Sequence, residues 1–257
     1  MIRRPLPMAP LLAVPAAAAA TLCAEAMYAV RRGLPSVTGH DASGVVGSLS
    51  RPEVTVVLLG DSTLTGSGLE SPDDIWIRQV ASRLSDRWHF RLVSLARGGA
   101  RTREVMTDQL PQALELRADL VIVSAGANDV LRATPLPQVE RELTRIVAEL
   151  EPVAPSVLLT GVGDLGNVPR VQFPLRLVAS SRSRAVDRIH ARVANEFPYA
   201  DKVRTGAMNA RFTRDLSLFS SDWFHPSRAG HEIWADAATP MVAAALQRLP
   251  AGHRADP

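Results

Sequence analysis

The chain has 257 residues, 46% of them hydrophobic and 21% charged, a globular composition long enough for one sizeable core or a domain with an appendage. Its net charge of +3 sits in residues 1–32, where Arg3, Arg4, Arg31 and Arg32 outweigh Glu25, and the remainder is electrically balanced, so nucleic-acid binding gains no support. Cys23 is the single cysteine, which excludes an intramolecular disulfide and a cysteine-rich metal site.

Arg3 and Arg4 precede an uncharged, alanine- and leucine-rich stretch over residues 5–24, which exits through Ala24-Glu25-Ala26. A basic start, an apolar centre and an Ala-x-Ala exit mark residues 1–32 as a signal peptide, with cleavage after Ala26, or as an uncleaved membrane anchor of about 20 residues. Either implies a secreted, cell-envelope or membrane-anchored protein and makes cytoplasmic residence the weaker expectation; the plainer alternative is a mobile, alanine-rich leader with no membrane role. Residues 33–51 are rich in Gly, Ser and Thr without periodicity and read as a linker. The domain is then expected over residues 52–250, with a tail at 251–257.

Val54 to Leu59 is a β-branched apolar run bounded by Pro52 and Gly60, the pattern of a buried strand. Ser71, Pro72, Asp73 and Asp74 supply a helix start, with Ile75, Ile77, Val80, Ala81 and Leu84 as its apolar face. A second strand is expected from Trp88 to Leu95, ending in the turn Gly98-Gly99-Ala100, with a helix entered near Thr102. Further strands are expected over Asp119–Ala125, Ser156–Gly161 and, weakly, Ala200–Thr205. Helices are expected over Leu136–Leu150, Leu175–Glu196 and Ala229–Leu249, the last bent at Pro240. Strands alternating with helices, several of them apolar throughout, indicate a parallel sheet covered on both faces. Loops at the carboxyl ends of such strands gather on one rim, so Ser62, Gly98, Gly99 and Asn128 are expected to converge.

Ser62 leaves the first strand on the turn Gly60-Asp61-Ser62 and is the candidate nucleophile. A serine hydroxyl needs a base. His225 precedes Pro226, which keeps it extended, and Asp222 three residues upstream can accept from one ring nitrogen and leave the other for the serine proton. Backbone N–H groups of Ser62 and Gly99, with the Asn128 amide, are candidate oxyanion donors. The plainer alternatives are a strand-to-helix turn for Asp61 and Ser62, a turn role for Asn128 and Asp129, and a surface or capping role for His231. No His-x-x-x-His pattern is present, so no metal is expected.

Gly60-Asp61-Ser62, Gly99, Gly126-Ala127-Asn128-Asp129 and Asp222-Trp223-Phe224-His225 stand in the order of the four blocks of the SGNH (GDSL) hydrolase family, and the resemblance covers roughly Val54 to Leu249. It implies a flavodoxin-like three-layer α/β/α sandwich, here with a central, mainly parallel five-stranded sheet, and serine ester hydrolysis without a cofactor. It also implies Ser62 as nucleophile, His225 as base, Asp222 as its orienting carboxylate, and Ser62, Gly99 and Asn128 as oxyanion donors. Small acyl esters, acetylated carbohydrate or lysophospholipid-like esters are the expected substrates. Acyl transfer from the same site and a catalytically silent binding module are the alternatives. Phe173, Leu175, Leu177 and Val178 follow the fourth strand and are expected either to line an acyl pocket or to cover the core. The excess of arginine beyond Arg170 is either a face toward anionic lipid headgroups or a solvated helix surface.

Overall fold

The computed structural model describes residues 39–249 together with 20–21 and 24–25. The leader cleavage site, Cys23, residues 33–38 of the expected linker, His253 and the tail lie outside the described residues. Six strands form one sheet: β1 (Gly44–Val46), β2 (Glu53–Gly60), β3 (His89–Ser94), β4 (Leu120–Ser124), β5 (Val157–Leu159) and β6 (Ala200–Lys202). Their order is β1-β3-β2-β4-β5-β6. β2, β3, β4, β5 and β6 pair in parallel, and β1 pairs antiparallel to β3 through Gly44 opposite Leu92 and Val46 opposite Phe90.

The sheet therefore has six strands where five are expected from sequence. The extra one, β1, comes from the segment read as linker. Three residues with Val45 facing solvent are too few to show a period, and the strand exists because β3 offers an unpaired edge.

β2 is buried along its whole length from Val54 to Gly60, as a central parallel strand must be. Period-two alternation sends Val56 and Leu58 to one face and Val57 and Leu59 to the other. The first face carries α2 (Trp76–Arg83), α8 (Gly206–Phe212) and the closing α9 (Arg228–Gln247), which continues as one helix through Pro240. The second carries α6 (Leu136–Leu150), α7 (Leu175–Glu196) and the run from α3 (Thr102–Glu104) through a π-helical turn, Val105–Gln109, to α4 (Leu110–Leu114). Each fully buried Val or Leu in these two layers contributes about 1.5–3 kcal/mol. Among the described residues, no helix is long and apolar enough to cross a membrane.

Ser71 caps a 3₁₀ turn, Pro72–Asp74, and not the α-helix itself. α2 starts at Trp76, whose N–H donates to Nδ1 of His231 at 3.2 Å. His231 is thus a buried tie between α2 and α9, not a surface residue. Burial pushes its pKa down to about 3, with the charge of His225 adding to the effect, so the ring is neutral.

Candidate active site

The site forms where β2 and β4 end side by side, with Gly60 paired to Ser124. Gly60 has φ of +155°, and a Cβ there would lie 2.1 Å from the Ser124 carbonyl oxygen, so the close strand crossing requires glycine. The Asp61 N–H donates to Ser124 O at 3.1 Å, and the Arg97 N–H, from the turn after β3, donates to Gly60 O at 3.0 Å. Both backbone groups of Gly60 are also held by one side chain. Gln109, from the π-helical turn, accepts from Gly60 N at 2.7 Å and donates to Gly60 O at 2.9 Å, extending the ladder beyond the last strand residue.

Ser62 is the first residue of α1 (Ser62–Thr65), a single turn capped by Asp61, whose Oδ1 accepts from Thr63 N at 3.0 Å and Thr63 Oγ1 at 2.8 Å. Burial pushes the Asp61 carboxyl above its ordinary value, partly offset by these bonds and by His225. Asn128 lies in α5 (Ala127–Leu131) after Gly126, and its Nδ2 donates to Ala100 O at 3.0 Å and to Asp61 Oδ2 at 3.4 Å. Asp129 next to it is fully buried and accepts from Thr102 N at 2.8 Å and Thr102 Oγ1 at 2.9 Å, binding the turn after β3 to the turn after β4. Gly99, in the first of these turns, is exposed with φ of +80°, and nothing stands within 4 Å of where its Cβ would be.

Asp222 and His225 come from the loop before α9. Nδ1 of His225 donates to Asp222 Oδ2 at 2.6 Å. The other carboxylate oxygen accepts from Ser220 Oγ at 2.7 Å, Phe224 N at 2.8 Å and His225 N at 2.9 Å. Burial raises the Asp222 pKa, but these bonds outweigh it and hold the group below its usual 3.8. The backbone at Trp223 takes φ of +57° to close this loop, turning the indole outward. Among the described residues the Ser62 hydroxyl makes no hydrogen bond.

A cavity of about 100 Å³ opens beside His225 and is walled by Thr63, Asn128, Leu131, Leu165, Val168, Met208, Phe212, Phe219, Phe224 and Trp234, among others. Phe173, Leu175 and Leu177 are not part of that wall, and Phe173, Leu177 and Val178 face solvent instead of either the cavity or the core. Met208, Phe212 and Phe219 of the apolar wall come from α8 and the loop after it, where the sequence shows no strong period. Gln109 was equally hidden, its partner being 49 residues away.

The sequence profile of the GDSL-like Lipase/Acylhydrolase family matches residues 58–233. A GDSL-like esterase of Mycobacterium tuberculosis is 26% identical over 193 residues, 72% of this chain and 60% of the relative, so the chain spans less than two thirds of that protein. Among solved structures, TesA superposes with a TM-score of 0.62 at 21% identity, covering 74% of this chain and 99% of TesA. The acetylxylan esterase Axe2 of Geobacillus stearothermophilus gives 0.56 at 23%, covering 77% and 95%. The psychrotrophic esterase EstA of Pseudoalteromonas sp., inhibited by monoethylphosphonate, gives 0.57 at 17%, covering 76% and 99%. These likenesses agree with the mixed α/β sheet, and the family profile, spanning more than half of the sequence, establishes that the chain belongs to the GDSL-like lipase/acylhydrolase family.

Proposed function

We propose that the protein hydrolyses carboxylic esters through an acyl-enzyme on Ser62. The observation that carries this reading is the Asp222–His225 pair at 2.6 Å, set on the rim where the turns bearing Ser62, Gly99 and Asn128 meet. With Nδ1 committed to Asp222, Nε2 is the nitrogen left to accept the Ser62 proton as Oγ attacks the ester carbon. The oxyanion is held by the Ser62 and Gly99 amides and the Asn128 side chain. The intermediate collapses, His225 protonates the departing alcohol, and a water deprotonated by His225 then releases the acid and frees Ser62. EstA, a structure of the same fold, is inhibited by a phosphonate, which supports using a phosphonate probe here.

The basic start, apolar centre and Ala-x-Ala exit of residues 1–32 support reading it as an exported or membrane-anchored enzyme. The cavity wall of Leu165, Val168, Met208, Phe212, Phe219 and Trp234 favours acyl chains longer than acetyl. In a p-nitrophenyl ester series from acetyl to palmitoyl, kcat/KM is expected to rise by about four-fold per added methylene until the cavity is full. Ser62→Ala is expected to remove all of this activity with thermal unfolding nearly unchanged. Retained turnover in that variant would overturn the reading.

A further inference from the structure

Five of the eight exposed large hydrophobic side chains among the described residues, Leu131, Phe173, Leu177, Val178 and Trp223, stand on segments that flank the cavity beside His225. They are 41% to 71% exposed. Their chain neighbours tie them together. Leu131 itself borders the cavity, Val168 and Phe224 line it, and Arg170 Nη1 donates to Asp222 O at 3.3 Å, next to Trp223. Farther along, Arg182 Nη2 donates to Thr134 O at 2.6 Å, so residues 170–182 bridge the loop before His225 and the turn after Leu131. Such a patch on a rim is the mark of an interaction surface.

Arginines outnumber carboxylates there, Glu25 and Asp222 being the acidic groups beside it. Residues 167–182 contain Arg170, Arg176 and Arg182 and no acidic residue, and Arg132 is exposed beside Leu131. Glu25 lies against the same face. Glu25, which closes the uncharged stretch of residues 5–24, accepts from Leu175 N at 2.9 Å at the start of α7. Phe173, Leu177 and Val178 remain exposed beside that contact.

We infer that this rim docks on an anionic lipid bilayer, placing the cavity mouth at the membrane so that the ester is drawn from the lipid phase. Apolar side chains enter the acyl boundary while the exposed Arg132 and Arg176 meet the headgroups. The inference deepens the proposed ester hydrolysis and rests on it for the substrate, though not for the docking itself.

Trp223 supplies a direct probe, because Trp76, Trp88 and Trp234 are buried. The full-length protein is mixed with vesicles of phosphatidylcholine and phosphatidylglycerol whose acyl chains are brominated, and the emission lost is compared with that of Trp223→Phe. Quenching present in the wild type and absent in Trp223→Phe is expected. An emission that bromolipid leaves unchanged while aqueous acrylamide quenches it, with the protein held on the vesicles by its leader, would overturn the proposal. The paired Arg132→Glu and Arg176→Glu variant should weaken the quenching on anionic vesicles, by about five-fold in lipid concentration for each arginine lost. No change in that variant would contradict the headgroup assignment. Hydrolysis of dissolved p-nitrophenyl butyrate, measured alongside, reads the esterase proposal separately.

Discussion

Asp222→Asn separates the chemistry of the site from its architecture. Oδ1 of Asp222 accepts from Ser220 Oγ, Phe224 N and His225 N, and an asparagine in the same pose keeps all three bonds through its carbonyl. Oδ2 is replaced by an NH₂ group 2.6 Å from Nδ1 of His225. Two donors cannot share that contact, so Nδ1 must accept and the ring proton moves to Nε2, where it blocks uptake of the Ser62 proton. The imidazolium also loses its counter-charge. Together these are expected to lower kcat by about 10⁴, or roughly 5 kcal/mol in the barrier. Stability should fall by no more than about 1.5 kcal/mol, since three hydrogen bonds remain and the fourth changes from charge-assisted to neutral with its direction reversed. The folded carboxyl sits below its usual 3.8, so its contribution to stability is present above that pH and is lost as pH falls through the folded value. The variant lacks this titration, and the stability gap between the two proteins should narrow below pH 4. The assay is kcat on p-nitrophenyl butyrate with urea unfolding at pH 7 and pH 3.5. A variant kcat within about ten-fold of wild type would refute the tautomer argument.

Asn128→Ala should reduce kcat by about 10²–10³ with little change in KM, because its amide acts on charge that forms only in the transition state; an unchanged kcat would restrict Asn128 to holding Ala100 and Asp61. Gln109→Leu leaves the N–H of Gly60 buried without a partner, its C=O still accepting from Arg97 N, and should cost about 1–3 kcal/mol in urea unfolding. A loss under about 1 kcal/mol would show that the clamp is dispensable. Burial lowers the His231 pKa to about 3 and that of His190 to about 4, so both rings are neutral in the folded protein and take up a proton near 6.5 on unfolding. Stability from these two groups is complete above pH 6.5 and declines toward pH 4 by up to about 2.7 kcal/mol per pH unit. His190→Leu should halve that histidine-dependent slope, and an unaltered slope would remove His190 from it.

The parallel sheet was legible in the sequence because β2 and β4 are apolar at every position from Val56 to Leu59 and from Leu120 to Val123, which only a strand covered on both faces tolerates. α7 and α6 follow the expected limits because each has a clean apolar stripe and a proline at or beside its first turn. The edge strand β1 was not legible, since its pairing is backbone to backbone and its side chains carry no pattern. His231 was misread because its role depends on Trp76, 155 residues away. The cavity wall was missed for a similar reason. Met208, Phe212 and Phe219 lie in short elements whose meaning appears only when α9 packs behind them. Phe173 and Leu177 were expected from chain position either to line a pocket or to cover the core, yet both are exposed, Phe173 just before α7 and Leu177 in its first turn.

The central claim is that Ser62 becomes the covalent nucleophile, and the most direct measurement is the site of modification by a fluorophosphonate, read by mass spectrometry of the digested protein. The account predicts one adduct, on the peptide containing Ser62, absent in Ser62→Ala and strongly slowed in Asp222→Asn. An adduct on another residue, or a folded protein that remains unmodified, would contradict it.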